Sequence, residues 1–251
     1  MQPGPQSRAR QIRQTLKDGG SLEHSAGVQR YFKQEIKSYG WYTKDLRKLA
    51  QRERRAMLAA QSLEFLIGVA DRLFRGNVLE EKSVAVCLLE KSAAELGSRE
   101  FLLFESWLDR VTTWADHDAL VHDLIAPMLL AGHSNNAKRP ARDPASRMAR
   151  VMAWSRSPDR WHRRASAVAL IRGCRRCLFF TQVEQVTERL LGDRDDMVQK
   201  GLGWLLRENA KADPQRTIPL LLQVRDSASR LVLRTACETL APAERARVLL
   251  R

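Results

Sequence analysis

Apolar residues recur through this chain at helical spacing and nowhere convincingly at strand spacing. In REFLLFESWLDRV (99–111), Phe101, Phe104, Leu108 and Val111 fall at i, i+3, i+7 and i+10, one stripe of an α-helix. EEKSVAVCLLEKSAAEL (80–96) repeats the pattern, with Val84, Leu88 and Ala94 set among charges. No Asp-Gly or Asn-Gly pair sits between alternating apolar runs, so there is no hairpin signal. Breaks fall at DGGS (18–21), FRGN (74–77), LGS (96–98), GHSNNAKRPARDP (132–144), SRSPD (155–159) and KADP (211–214). Ser157-Pro158-Asp159 and Asp213-Pro214 have the composition of helix starts. This punctuation predicts roughly thirteen helices. Short helices joined by short turns predict an all-α fold: a right-handed α-solenoid of antiparallel, HEAT-like helix pairs with a concave basic face. A compact irregular bundle is the alternative. The expectation is one domain over 1–251, with about residues 1–10 flexible.

Charge narrows the partners. The chain carries 43 Lys and Arg against 29 Asp and Glu, a net charge of +14. Residues 1–60 hold 13 basic and 5 acidic side chains, residues 61–137 hold 6 and 12, and residues 138–251 hold 24 and 12. That balance argues for a polyanionic partner, or for a ribosomal or membrane-surface role; basic ends around an acidic middle suit a molecule that grips an anion, and a generally basic protein without that design is the plain alternative. The N-terminal MQPGPQSRARQIRQ lacks the apolar segment of a secretory signal, and no run of 18 uncharged apolar residues is present. A cytoplasmic protein is expected. Cys174 and Cys177 form a lone CxxC inside a helical pattern, so the four cysteines are expected to be reduced thiols.

Three stretches hold candidate chemistry. In VTTWADHDAL (111–120), a helix over 112–130 puts Trp114 and Asp118 on one face, with His117 beside them and Asp116 nearly opposite, where it is expected to tolerate Asn. A partly buried Trp beside a solvated Asp is the bland alternative. His117, Asp118 and His122 do not have HExxH spacing and no third His-rich segment supports them, so no metal is expected. In SPDRWHRRASAV (157–168), Trp161, Arg163 and Arg164 open a helix, facing either an anion or solvent. In DDMVQKGLGWLLRENAK (195–211), Gly201 and Gly203 interrupt good helix formers at about 1 kcal/mol each. They imply close approach by another backbone, by a sugar-phosphate chain, or by a neighbouring helix. Lys200, Trp204 and Arg207 lie on or near that face.

Together these stretches resemble the DNA alkylation repair glycosylases of the AlkD type, which have a HEAT-like fold. Trp114 and Asp118 match that family's Trp-x-x-x-Asp pair. Arg164, followed by Ala, matches its Arg after a Trp-x-x pattern. QKGLGWLLRE (199–208) matches its QKxxGWxLRE helix, and RYFKQEIKSYGWYTKDLRKLA (30–50) resembles its opening segment, with Tyr31 on the aromatic position. Residues 24–225 are covered. Where the family has an aliphatic residue and then Thr-Pro, this chain has Trp41, Tyr42, Thr43 and Lys44.

The resemblance implies removal of cationic N-alkylpurines from duplex DNA, with no cofactor, no deep base pocket and a monomeric protein that is nucleoid-associated when bound to DNA. It implies that Asp118 stabilises oxocarbenium-like charge, with the indoles of Trp114 and Trp204 against the sugar and Arg164 on a phosphate. Tyr31, Lys44, Arg47, Arg163, Lys200 and Arg207 are expected to take backbone contacts. The rival reading is a non-catalytic HEAT-like scaffold that binds DNA, RNA or an acidic protein.

Overall fold

The computed structural model describes residues 4–131 and 144–250, and the break GHSNNAKRPARDP (132–144) lies outside them except for its last residue. Among the described residues the fold is all-α, consistent with a helical solenoid. No strand is present there; Lys37 and Val78 form an isolated parallel bridge. No helix among them is long and apolar enough to cross a membrane. Among the described residues the helices are more numerous than the sequence punctuation predicts, because Ser62, Thr113 and Ser229 also cap helix starts without a Gly or Pro to announce them. The chain divides into two compact units, Met1–Ala93 with Glu105–Leu124, and Ala94–Phe104 with Ile125–Arg251.

In the first unit the helix Pro5–Asp18 packs on Leu63–Phe74, and Leu63–Phe74 packs on Leu79–Leu89. Helices Thr43–Ala60 and Trp114–Leu120 also pack on Leu79–Leu89. Pro5, within the start expected to be flexible, opens a helix, its fixed φ suiting the first turn, and Ala9 is fully buried. Val84 and Leu88 are fully buried as the periodicity implies, but Ala94 is exposed because the helix ends at Leu89.

Leu79–Leu89 is buried on nearly every side, yet it opens with Glu80, Glu81 and Lys82, all buried. Buried charge persists only where it is paired or hydrogen-bonded, and each of these is. Glu80 accepts from Ser38 Oγ at 2.6 Å and from the backbone N–H groups of Tyr39 and Gly40 at 2.9 Å. Glu81 accepts from Arg13 Nε at 2.7 Å and from the Tyr39 hydroxyl at 3.0 Å. Burial, and then the Glu81 carboxylate, push that hydroxyl up to about 12. Gly40 has φ +79°, and a Cβ there would fall 1.9 Å from Ser21 O, so only glycine fits this turn. The departure at Trp41 has a packing role: its indole N–H donates to Leu16 O at 2.7 Å, and its ring occupies the space beside Gly19.

In the second unit Asp196–Ala212 is the central helix. Arg160–Val168, Ile171–Cys174, Phe180–Leu190, Pro214–Val224 and Arg230–Ala236 all pack on it, and Pro144–Trp154 packs on Arg160–Val168. Asp159 and Asp213 are N-caps, as their Asp and Pro neighbours predict: Asp159 accepts from the N–H groups of Trp161 and His162, and Asp213 from that of Arg216. The stripe Phe101, Phe104, Leu108 and Val111 is buried throughout.

Candidate active site

The helix carrying Trp114 and Asp118 begins at a heavily anchored N-terminus. Thr113 is the N-cap: its side chain accepts from Asp116 N, and Asp116 returns bonds to Thr113 N at 2.7 Å and Thr112 N at 2.9 Å. The Thr113 hydroxyl also donates to Asp116 Oδ1. Lys82 reaches Asp116 Oδ2 at 2.8 Å and Thr112 Oγ1 at 3.1 Å and donates to Arg110 O. Lys82 and Asp116 are each 1% exposed.

This corrects the expectation for Asp116. It is not a position open to substitution: it is the buried counter-ion of Lys82 that fixes where the helix starts. The signal was present in the sequence as Thr113-x-x-Asp116, the spacing of a capping box.

From Trp114 the helix runs to Leu120, widens into a π-helical turn at Val121–Ile125, and continues as Ala126–Leu130. Pro127 accounts for the wide turn, because a proline ring collides with the carbonyl four residues back in a regular α-helix.

Trp114 is 40% exposed, although it is a large apolar side chain. Its indole stacks on Phe32, with ring centroids 5.2 Å apart and planes 18° apart. Phe32 was not singled out in the sequence, since only the tertiary fold brings it to residue 114. It is held there by Gln29, whose amide donates to Phe32 O at 3.3 Å and Gln34 O at 2.8 Å. Gln34 in turn donates to Thr112 O at 2.8 Å. Tyr31, next to Phe32, is 76% exposed.

Asp118 lies one turn beyond Trp114, about 6 Å along the helix axis. Its side chain is 18% exposed, and its Oδ1 is 2.7 Å from Nδ1 of His117, which is completely buried. A carboxylate fixed by a buried imidazole beside an open aromatic surface can stabilise positive charge on a molecule lying against that surface. Among the described residues no group of three His, Cys, Asp or Glu side chains is placed to hold a metal ion. Lys44 is exposed, and Arg47, also exposed, meets Glu90 at 3.1 Å.

The other candidates lie in the second unit. Arg164 is only 5% exposed, and its Nη1 donates to Met197 O. Gly201 gives it room: a Cβ at 201 would stand 3.0 Å from Arg164 Cγ. Gly203 faces Thr235 in the same way, at 2.9 Å from its Cβ. Both glycines thus admit neighbouring side chains, the helix-packing alternative among those the sequence left open. Arg163 is turned inward, with Nε 2.6 Å from Asp193 Oδ2 and Nη1 donating to Ser157 O at 3.0 Å and Pro158 O at 2.7 Å. Trp204 is half-buried. Lys200 pairs with Asp196 at 2.7 Å and Arg207 with Glu238 at 2.7 Å, both at positions open to solvent.

The chain is thus a set of packed helices, strongly basic, with an anchored carboxylate one turn from an exposed indole. The chain matches the DNA alkylation repair enzyme family over residues 12–240, and it belongs to that family. Membership supports an enzyme with a role in the repair of alkylated DNA. A solved structure described as a predicted DNA alkylation repair enzyme from Enterococcus faecalis is similar in fold, with a TM-score of 0.75 at 17% sequence identity. The similarity covers 89% of this chain and 97% of that one. No curated protein matches the chain in sequence.

Proposed function

We propose that this protein is a DNA glycosylase that removes cationic N-alkylated purines, N7-alkylguanine and N3-alkyladenine, from duplex DNA. The observation that carries this reading is the Asp118 carboxylate, held by His117 one turn beyond the exposed indole of Trp114, in a chain of net charge +14. A scaffold that only grips phosphates has no use for an anchored carboxylate on such a face.

An alkylated purine is already a cation. When its bond to C1′ breaks, the electron pair leaves with the base and neutralises it, and positive charge moves to the sugar. Water then adds at C1′ and loses a proton. A fixed carboxylate stabilises the developing charge more than the ground state, which is how a site accelerates the chemical step. In this reading Asp118 supplies that charge and orients the water. Trp114 and Trp204 offer electron-rich ring faces to the sugar, a smaller effect. Arg164 holds a phosphate. Tyr31, Lys44, Arg47, Lys200 and Arg207 take backbone contacts that position the duplex without reading sequence. The pairs Arg47–Glu90, Lys200–Asp196 and Arg207–Glu238 are open to solvent, where such pairs are worth about 0–1 kcal/mol, so exchanging them for a phosphate is inexpensive, although Arg207 also lies 3.4 Å from the buried Glu208. Arg163, bonded to Asp193 and two carbonyls, is the weakest of the proposed contacts. The protein acts as a monomer without a cofactor.

One observation favours the rival scaffold: Arg163 and Arg164 both direct donors into the protein itself. The two readings separate in one experiment. Duplex DNA carrying a single N7-methylguanine is incubated with the protein, and free base is measured. Release of N7-methylguanine is expected. A protein that binds the duplex tightly and releases nothing is the scaffold.

A further inference from the structure

We propose that His117 is the positioning residue of Asp118: its Nδ1–H donates to Oδ1, aims the carboxylate and leaves it ionised. This inference rests on the glycosylase reading above and deepens it.

Consecutive helix residues project about 100° apart and do not normally meet. The 2.7 Å contact between Nδ1 of His117 and Oδ1 of Asp118 therefore requires the carboxylate to be drawn back toward the imidazole. The imidazole has no exposed surface, whereas the carboxylate does, so the rigid member of the pair is the histidine. Its backbone is fixed from the other side, because the same turn is anchored by Thr113, Asp116 and Lys82. The chain of support thus runs from a buried cap to a buried ring to a partly open carboxylate. An ionised carboxylate only accepts hydrogen bonds, so Nδ1 must carry the proton. The reverse arrangement, a protonated Asp118 donating to a bare Nδ1, would leave no charge for the sugar to meet.

Two variants and one spectrum test the assignment. Asn places an N–H donor close to the position of Nδ1, whereas Leu keeps bulk and removes the donor. His117→Leu is expected to slow single-turnover release of N7-methylguanine by about 10- to 100-fold through loss of aim. Duplex affinity is expected to be unchanged, and His117→Asn is expected to stay close to the wild-type rate. A long-range proton–nitrogen correlation spectrum of the wild-type protein at neutral pH reads the bond without catalysis. Nδ1 of His117 is expected to be protonated, and its resonance to shift in Asp118→Ala. A bare Nδ1 overturns the proposal even if both variants fail to fold. A wild type that excises, with His117→Leu matching its rate, overturns this proposal alone. A wild type that releases no base overturns the glycosylase reading and with it the catalytic use of the pair.

Discussion

Gly201 lies against the side chain of Arg164: a methyl group at 201 would stand 3.0 Å from its Cγ and 3.3 Å from its Nη1. The helix Asp196–Ala212 gives up about 1 kcal/mol of intrinsic helix preference at this position so that a buried guanidinium fits beside it. Gly201→Ala regains that preference while displacing Arg164. Its expected effect is therefore weaker duplex binding with little change in stability, read by fluorescence anisotropy and thermal unfolding together.

Gly203→Ala should behave differently. The added methyl would sit 2.9 Å from Thr235 Cβ, an atom tied to the backbone that cannot swing aside. Overpacking of this kind costs about 1–3 kcal/mol, so a lower unfolding temperature is expected despite the gain in helix preference. An unchanged or raised temperature would mean the two helices separate easily.

Asp118→Asn keeps shape and removes charge. Excision of N7-methylguanine should slow by about 10- to 1000-fold, about 1.4–4 kcal/mol of transition-state stabilisation. Duplex binding should stay the same or tighten, because a carboxylate near phosphates is repulsive in the ground state. Trp114→Ala and Trp204→Ala should slow excision less. Equal rates for Asp118→Asn and wild type would refute the assigned role.

Asp116→Asn, two residues away, is expected to act on stability. It leaves Lys82 charged, 1% exposed and without its carboxylate. Breaking a buried pair from one side costs about 3–5 kcal/mol. Adding Lys82→Met should recover part of the loss, which a double-mutant cycle in denaturant unfolding would measure.

Salt dependence tests the nucleic-acid partner. Log affinity for duplex DNA should fall with log salt by about 0.9 per phosphate neutralised. Arg207→Ala should make the slope shallower by about one, and Arg163→Ala, whose guanidinium is bonded internally, should hardly change it. A slope near zero in the wild type would remove DNA as the partner.

The acid limb of stability has an identifiable contributor. Burial alone would raise Asp71, but hydrogen bonds from Arg110, Arg75 and Trp107 outweigh it and hold the carboxyl below its usual range. A group depressed in the folded state stabilises fully above its unfolded pKa, about 3.9, and that contribution is lost as pH falls further toward the folded value. Asp71→Asn should flatten this part of a stability profile measured from pH 5 down to pH 2.

The helical period, the capped starts at Asp159 and Asp213, and the placing of Trp114 and Asp118 on one helix were all legible in the sequence. These features depend on residues within a turn or two of one another, where backbone geometry leaves few choices. Even the role of Asp116 is written locally, in the capping-box spacing Thr113-x-x-Asp116. Only the tertiary structure decided the rest. Phe32 meets Trp114 across 82 positions of chain, Lys82 meets Asp116 across 34, and Arg163 meets Asp193 across 30. Such pairings, and with them the division of arginines between solvent and interior, follow from how helices pack. Packing is set by the summed fit of many side chains rather than by the pattern of any single segment.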